Sequence, residues 1–171
     1  MIPTTYFSTF ETNLGPFSIG VNESGAVVAT AFGGVEELKS RCERAEFVAD
    51  EGRTASARDQ IIDYLAGWRG EFDLPLAAAG SDFQQRVWKA LREIPRGQTR
   101  SYGDLAKELQ SSPRAVGRAN ATNPICLIVP CHRVIGADGS LTGFAFGEEI
   151  KRKLLELEGV RVSENAAALL L

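Results

Sequence analysis

Reactive side chains are scarce in this chain. Its 171 residues include one histidine, His132, and three cysteines, Cys42, Cys126 and Cys131. Three scattered cysteines cannot form the disulfide framework that staples small secreted domains. There is no C-x-x-C pair and no second histidine, so the usual spacings of zinc sites are missing. No metal and no other cofactor is expected. No apolar run approaches the roughly 20 residues that cross a bilayer. Residues 1–6 lack a basic segment leading into an apolar one, so no secretory leader is expected either. A reducing cytoplasm fits these absences, with no membrane partner.

Apolar content is ample by contrast. At 44% hydrophobic residues the chain can fill one good core or two small ones. The formal net charge of −3 looks wrong for a nucleic-acid binder, but it averages over unlike segments. Residues 1–80 hold six Lys/Arg against twelve Asp/Glu, whereas residues 81–153 hold twelve against seven. The second half therefore has the makings of a basic face. Ordinary charge scatter would give the same numbers.

Residues 1–35 read as strands and turns. Strands are expected over 6–10, 17–21 and 26–32, separated by turn signals at 13–16 and 22–25. Helices are expected over 35–44 and 56–68. The apolar, small-residue stretch 74–80 reads as a connector, which sets domains at 1–80 and 81–171. In the second, Asp82 with Gln85 forms a capping-box pattern for a helix that buries Phe83, Val87 and Leu91. Ser101 with Asp104 forms another, for a helix over 102–109. Ser112-Pro113 starts a third, ending near Ala121. These two short helices around Gln110-Ser111 have the shape of a helix-turn-helix. A core-packing helical hairpin would read alike. The small residues Ala115, Gly117, Ala119 and Ala121 favour close approach to a groove, and Arg114 and Arg118 share one face. The last helix begins after Gly147 and closes at Gly159. Glu158 opposes the dipole of that helix, which calls for a partner, and His132 is the candidate.

The densest chemistry lies in Pro130-Cys131-His132-Arg133-Val134, at the end of the apolar run 125–129. A thiol beside an ionisable base suggests a thiolate nucleophile. A metal site built on Cys126, Cys131 and His132, a cysteine hydrolase and an inert buried thiol are the other readings. In extended backbone His132 and Cys131 point to opposite faces, so they meet only through a turn or a bridging water.

The pattern Asn123-Pro124, five residues, then Pro130-Cys131-His132-Arg133-Val134 resembles the signature of the O6-alkylguanine-DNA alkyltransferases, also called methylated-DNA–protein-cysteine methyltransferases. The likeness runs from about Asp82 to Gly159. It includes Phe83 to Trp88, Ser101-Tyr102, Arg114 to Gly117, Thr142 to Phe144, Lys151 to Leu155 and Glu158-Gly159. It implies an α+β protein: a ribonuclease-H-like αβ domain, then a mostly helical, winged-helix-like domain with a helix-turn-helix and the reactive cysteine. It implies direct repair of duplex DNA carrying O6-alkylguanine by a monomer, with O4 of thymine left open as a second target.

The resemblance also assigns roles. Cys131 is the acceptor, His132 its base through a water, and Glu158 the group that orients the other ring nitrogen. Asn123 braces the cysteine loop. Tyr102 presses on the target phosphate and donates a proton to the leaving base. Arg114 fills the stack where the base was extruded, while Ser101, Ala115, Gly117 and Arg118 join the DNA face. Pro130, Val134, Phe144 and Phe146 wall the pocket. Many relatives have glycines where this chain has Phe144-Ala145-Phe146-Gly147, so large adducts are expected to react less well than methyl. A helix-turn-helix regulator with an inert Cys131 is the alternative.

Overall fold

The computed structural model describes residues 1–42 and 44–162. The chain divides into two compact units: Met1–Ala79 with Pro124–Cys126, and Gly80–Asn123 with Leu127 onward. The architecture is mixed α+β.

In the first unit, both expected turns form. The strands β1 (Thr4–Thr12) and β2 (Gly15–Val21) pair antiparallel, and β2 pairs antiparallel with β3 (Val27–Phe32). Thr12 Oγ1 secures the first turn by accepting from Leu14 N, and Asn22 Oδ1 secures the second by accepting from Ser24 and Ala26. Such side-chain to backbone bonds are why Thr and Asn favour turns. The helix α1 (Val35–Arg41) stops earlier than expected. A further strand, β4 (Glu46–Ala49), lies parallel beside β1 and was not anticipated; the sheet order is β3-β2-β1-β4.

The helix α2 (Glu51–Leu65) begins one turn before the expected Ser56 and ends before Trp68. Asp50 accepts from Arg53 N as its cap, and Thr54 bonds to Ser8 of β1 at 2.7 Å inside the core. Trp68 lies beyond the helix and is exposed. Phe17, Ile19, Leu38, Ile61 and Tyr64 form the core. The outer edge of β3 is covered at Val27 by Pro75–Ala77 and at Thr30 by Pro124–Cys126.

The second unit contains α3 (Asp82–Arg92), β5 (Arg100–Ser101), α4 (Tyr102–Glu108), α5 (Pro113–Ala121), a 3₁₀ turn (Cys131–Arg133), β6 (Val134–Ile135) and α6 (Glu148–Leu157). The cap of α3 is Ser81 paired with Gln84, one residue before the expected Asp82 and Gln85. Both pairs have capping-box spacing. The earlier start wins because it sets Asp82 in the first turn, where the helix dipole favours a carboxylate. Ser101–Asp104 and Ser112 cap α4 and α5 as expected. Gln110, at φ 53, turns the chain between them, and Ser111 N reaches back to Ala106 O at 2.8 Å.

Trp88 of α3 donates to Ala119 O of α5, and Arg86 donates to Leu109 O after α4, which locks three helices together. Val87, Leu91, Leu105, Val116, Leu154 and Leu155 are buried. Gly159, at φ 90, closes α6. No helix among the described residues is long and apolar enough to cross a membrane.

Candidate active site

The site is built where the apolar run meets the 3₁₀ turn. Residues 125–129 are all buried, but they do not run straight: Leu127 sits at φ 73. A bulky residue in the left-handed region is held there only by its surroundings. The Val129 carbonyl accepts from Cys131 N at 2.8 Å and from Asn123 Nδ2 at 2.9 Å. Asn123 is thus tied to the backbone two residues before the cysteine. Cys131, His132 and Arg133 then occupy a single 3₁₀ turn, not the extended backbone considered above.

His132 is fully buried, and its Nε2 lies 2.9 Å from Glu158 Oε2 at the end of α6. Arg133 forks onto the same carboxylate, from Nε to Oε1 at 2.9 Å and from Nη2 to Oε2 at 2.8 Å. Its Nη1 donates to Ile94 O at 2.7 Å. Burial pushes the Glu158 carboxyl up, but the hydrogen bonds from His132 and Arg133 and the charge of Arg133 outweigh it and hold it well below the usual carboxylate range. Burial lowers the His132 imidazole, and Glu158 opposes that without reversing it. The ring is therefore neutral at pH 7. Because Glu158 is ionised, Nε2 must donate to it, which leaves the lone pair on Nδ1. That nitrogen is buried with no hydrogen-bond partner among the described residues.

Tyr102, the first residue of α4, donates to Thr142 O at 3.2 Å. Its ring lies over Gly117 of α5, where an added Cβ would stand 3.8 Å from it. A methyl group there would make an ordinary van der Waals contact, so Gly117 packs beside Tyr102 without being required by it. Burial raises the Tyr102 hydroxyl, the Cys131 charge adds to this, and the Asn120 amide opposes it. Gly143, at φ 90, passes so close that a Cβ there would come within 2.6 Å of the Tyr102 hydroxyl.

Lys151 of α6 is fully buried without a carboxylate partner among the described residues. Its ammonium donates to Val134 O at 2.6 Å and to Thr142 O at 3.3 Å. Burial lowers its pKa to about 8, against the opposing pull of Cys131 and Glu148.

The remaining expected residues divide by exposure. Pro130 and Val134 are buried, and Phe144 is buried against the half-buried Phe146, rings 5.6 Å apart and edge-on. Arg114 and Arg118 are exposed on α5, and Ala115 and Gly117 are half-buried. The Ser101 hydroxyl is engaged by its cap. An open groove of about 420 Å³ is lined by Phe83, Gln84, Ala115, Arg118 and Thr122, among others. Sequence reasoning missed Arg133, Lys151 and Asn120. Their signal was a charge or amide set into an apolar face, such as Lys151 one turn before Leu154 and Leu155.

Fold and site together define a class: α+β proteins in which two short helices joined by a tight turn and a buried, histidine-flanked thiol share one compact unit. The profile for 6-O-methylguanine DNA methyltransferase, DNA binding domain, matches residues 82–160. The methylated-DNA–protein-cysteine methyltransferase of Methanosarcina acetivorans is 44% identical over 90% of this chain and 98% of its own length. That of Mycobacterium bovis is 46% identical over 91% and 93%. The crystal structure of Mycobacterium tuberculosis OGT in complex with DNA superposes with a TM-score of 0.80, at 43% identity, over 90% of this chain and 92% of that one. The chain belongs to the methylated-DNA–protein-cysteine methyltransferase family.

Proposed function

We propose that this protein repairs duplex DNA by moving the alkyl group from O6 of guanine irreversibly onto Cys131. Its activity is that of a methylated-DNA–[protein]-cysteine S-methyltransferase. The observation that carries the reading is the buried His132–Glu158 pair directly after Cys131. The ionised carboxylate fixes the tautomer with a bare Nδ1, the arrangement of a general base. His132 takes the thiol proton through a water. The sulfur lone pair forms the S–C bond as the C–O6 bond breaks, and that electron pair passes to guanine. Tyr102, kept protonated by its raised pKa, returns a proton to the base.

A soft thiolate suits displacement at an unactivated carbon. The thioether formed has no easy hydrolytic exit, so each molecule acts once. Guanine O6 is inaccessible inside the duplex, so the base is extruded. Arg114 fills its place, and Ser101, Tyr102, Ala115, Gly117 and Arg118 complete the DNA face. Asn123 braces the cysteine loop, while Pro130, Val134, Phe144 and Phe146 wall the pocket. O4 of thymine is a second candidate target.

The same reading takes residues 1–80 as a ribonuclease-H-like domain, in keeping with an antiparallel β3-β2-β1 sheet extended by a parallel β4. Residues 81–171 form a winged-helix-like domain, of which 163–171 lie outside the described residues. The protein acts as a monomer, and a reducing cytoplasm suits its three cysteines, which form no disulfide among the described residues.

Incubation with a duplex holding one O6-methylguanine, then peptide mass spectrometry, is expected to find one methyl group on Cys131. Cys131→Ala is expected to bind the duplex with unchanged affinity and accept nothing. An unmodified thiol with intact DNA binding would favour a helix-turn-helix regulator instead.

A further inference from the structure

Residues 124–126 belong to the first compact unit, although their neighbours in sequence, Asn123 and Leu127, belong to the second. They lie parallel to β3 at its outer edge, where Thr30 bridges Ile125. Thr30 is fully buried and holds this segment at both ends. Its backbone N–H donates to Pro124 O at 2.9 Å. Its hydroxyl donates to Cys126 O at 2.8 Å, with Cys126 Sγ 3.3 Å away. Further on, Val129 O accepts from Asn123 Nδ2 and from Cys131 N. The stretch leading into the cysteine is thus held at two carbonyls, and between them Leu127 stands at φ 73.

Thr30 is the one polar residue of β3. A buried hydroxyl is unfavourable unless it is hydrogen-bonded, and the bond this one makes is to the Cys126 carbonyl. That carbonyl lies in the peptide plane whose rotation changes the φ of Leu127. A leucine leaves the left-handed region when its surroundings release it, so a bond on that plane opposes the relaxation. We infer that Thr30 is a positioning residue for the transfer reaction: its hydroxyl fixes the Cys126 carbonyl and, through the strained Leu127, the place of the Cys131 sulfur. The inference rests on the alkyl-transfer reading and adds to it a residue of the first unit that acts on the nucleophile through the chain itself. Misplacing a reacting group by about 1 Å can slow a reaction by about a hundredfold.

The test follows single-turnover methyl transfer from a duplex holding O6-methylguanine to the full-length protein at rising duplex concentration. This separates the rate at saturation from the affinity. Thr30→Val keeps the shape and suits a strand but removes the hydroxyl, whereas Thr30→Ser keeps the hydroxyl. Thr30→Val is expected to lower the saturated rate by about tenfold or more, with the affinity for duplex unchanged. Transfer from free O6-benzylguanine is expected to slow by a similar factor. Thr30→Ser is expected to restore most of the rate. An unchanged saturated rate in Thr30→Val, even with a lower unfolding temperature, would overturn the inference while leaving alkyl transfer standing. So would a loss confined to affinity, or equal losses in the valine and serine variants. Absence of methyl on Cys131 of the unaltered protein would instead overturn the functional reading. Should Thr30→Val fold poorly, Thr30→Ala against Thr30→Ser, which differ only in the hydroxyl, gives the same comparison.

Discussion

A carboxylate buried at the C-terminus of a helix meets two opposing forces, lost hydration and the helix dipole. Glu158 is stable there because three N–H groups converge on it, two from Arg133 and one from His132. Removing one partner of such a pair leaves an uncompensated charge, at about 3–5 kcal/mol. Lys151 has no carboxylate at bonding distance among the described residues, and two carbonyls receive it. Its pKa falls from 10.5 to about 8, so between those values the unfolded chain binds more protons than the native one. Stability therefore rises with pH across that window. Relative to Lys151→Met, the unaltered protein should gain about 3 kcal/mol over the whole interval, with most of the gain above pH 8. Urea denaturation of both proteins at pH 7 and pH 9.5 checks this, and a constant difference would refute it. Glu158 was legible in the sequence because its sign is wrong for its place in the helix. Lys151 was not, because a lysine in an amphipathic helix reads as solvated, and its acceptors come from loops remote in sequence.

Between Leu141 and α6 the chain runs as a loop whose hold on the site is visible in single contacts. Thr142 O receives both Tyr102 and Lys151, Gly143 passes under the Tyr102 hydroxyl, and Phe146 packs edge-on against Phe144. On the proposed function this loop walls the pocket, and a half-buried aromatic ring in it would narrow the space for an adduct larger than methyl. Phe146→Gly should raise the rate with O6-benzylguanine several-fold over the unaltered protein, since a lost ring frees volume that a benzyl group needs. The methyl rate should change less, and equal changes for both substrates would refute the steric account. Elements closed by local chemistry were readable in advance. Ser101 with Asp104, Ser112 with Pro113, and the two hairpin turns each state their boundary within four residues. The α3 cap was ambiguous because two overlapping boxes compete. The start of α2 was hidden because Gly52 and Thr54 look like loop residues, while Thr54 is fixed by Ser8, distant in sequence. Strand β4 was missed for the same reason: its partner β1 lies about forty residues earlier, and nothing in Glu46–Ala49 announces parallel pairing.

For the whole molecule, the informative quantity is how charge is distributed and not its sum. The chain is acidic overall, yet residues 81–153 carry an excess of Lys/Arg and include both exposed arginines of α5. Duplex DNA rewards each phosphate contact by releasing counterions, so the number of contacts appears as a slope of log affinity against log salt. Arg114 and Arg118, one helical turn apart, should separate in such a measurement. If Arg118 meets a phosphate, Arg118→Ala should weaken binding evenly across sequences and lower the slope by about one. Transfer from the free base O6-benzylguanine, which needs no duplex, should be unaffected. Arg114→Ala should instead slow transfer from duplex DNA much more than transfer from the free base. On the proposed function Arg114 occupies the stack behind the extruded nucleotide, and unstacking costs a few kcal/mol in duplex alone. Titrations from 50 to 200 mM salt, run alongside rates on both substrates, resolve the two. Parallel losses for both variants would mean that α5 contributes only general charge, and that extrusion is driven from elsewhere in the protein.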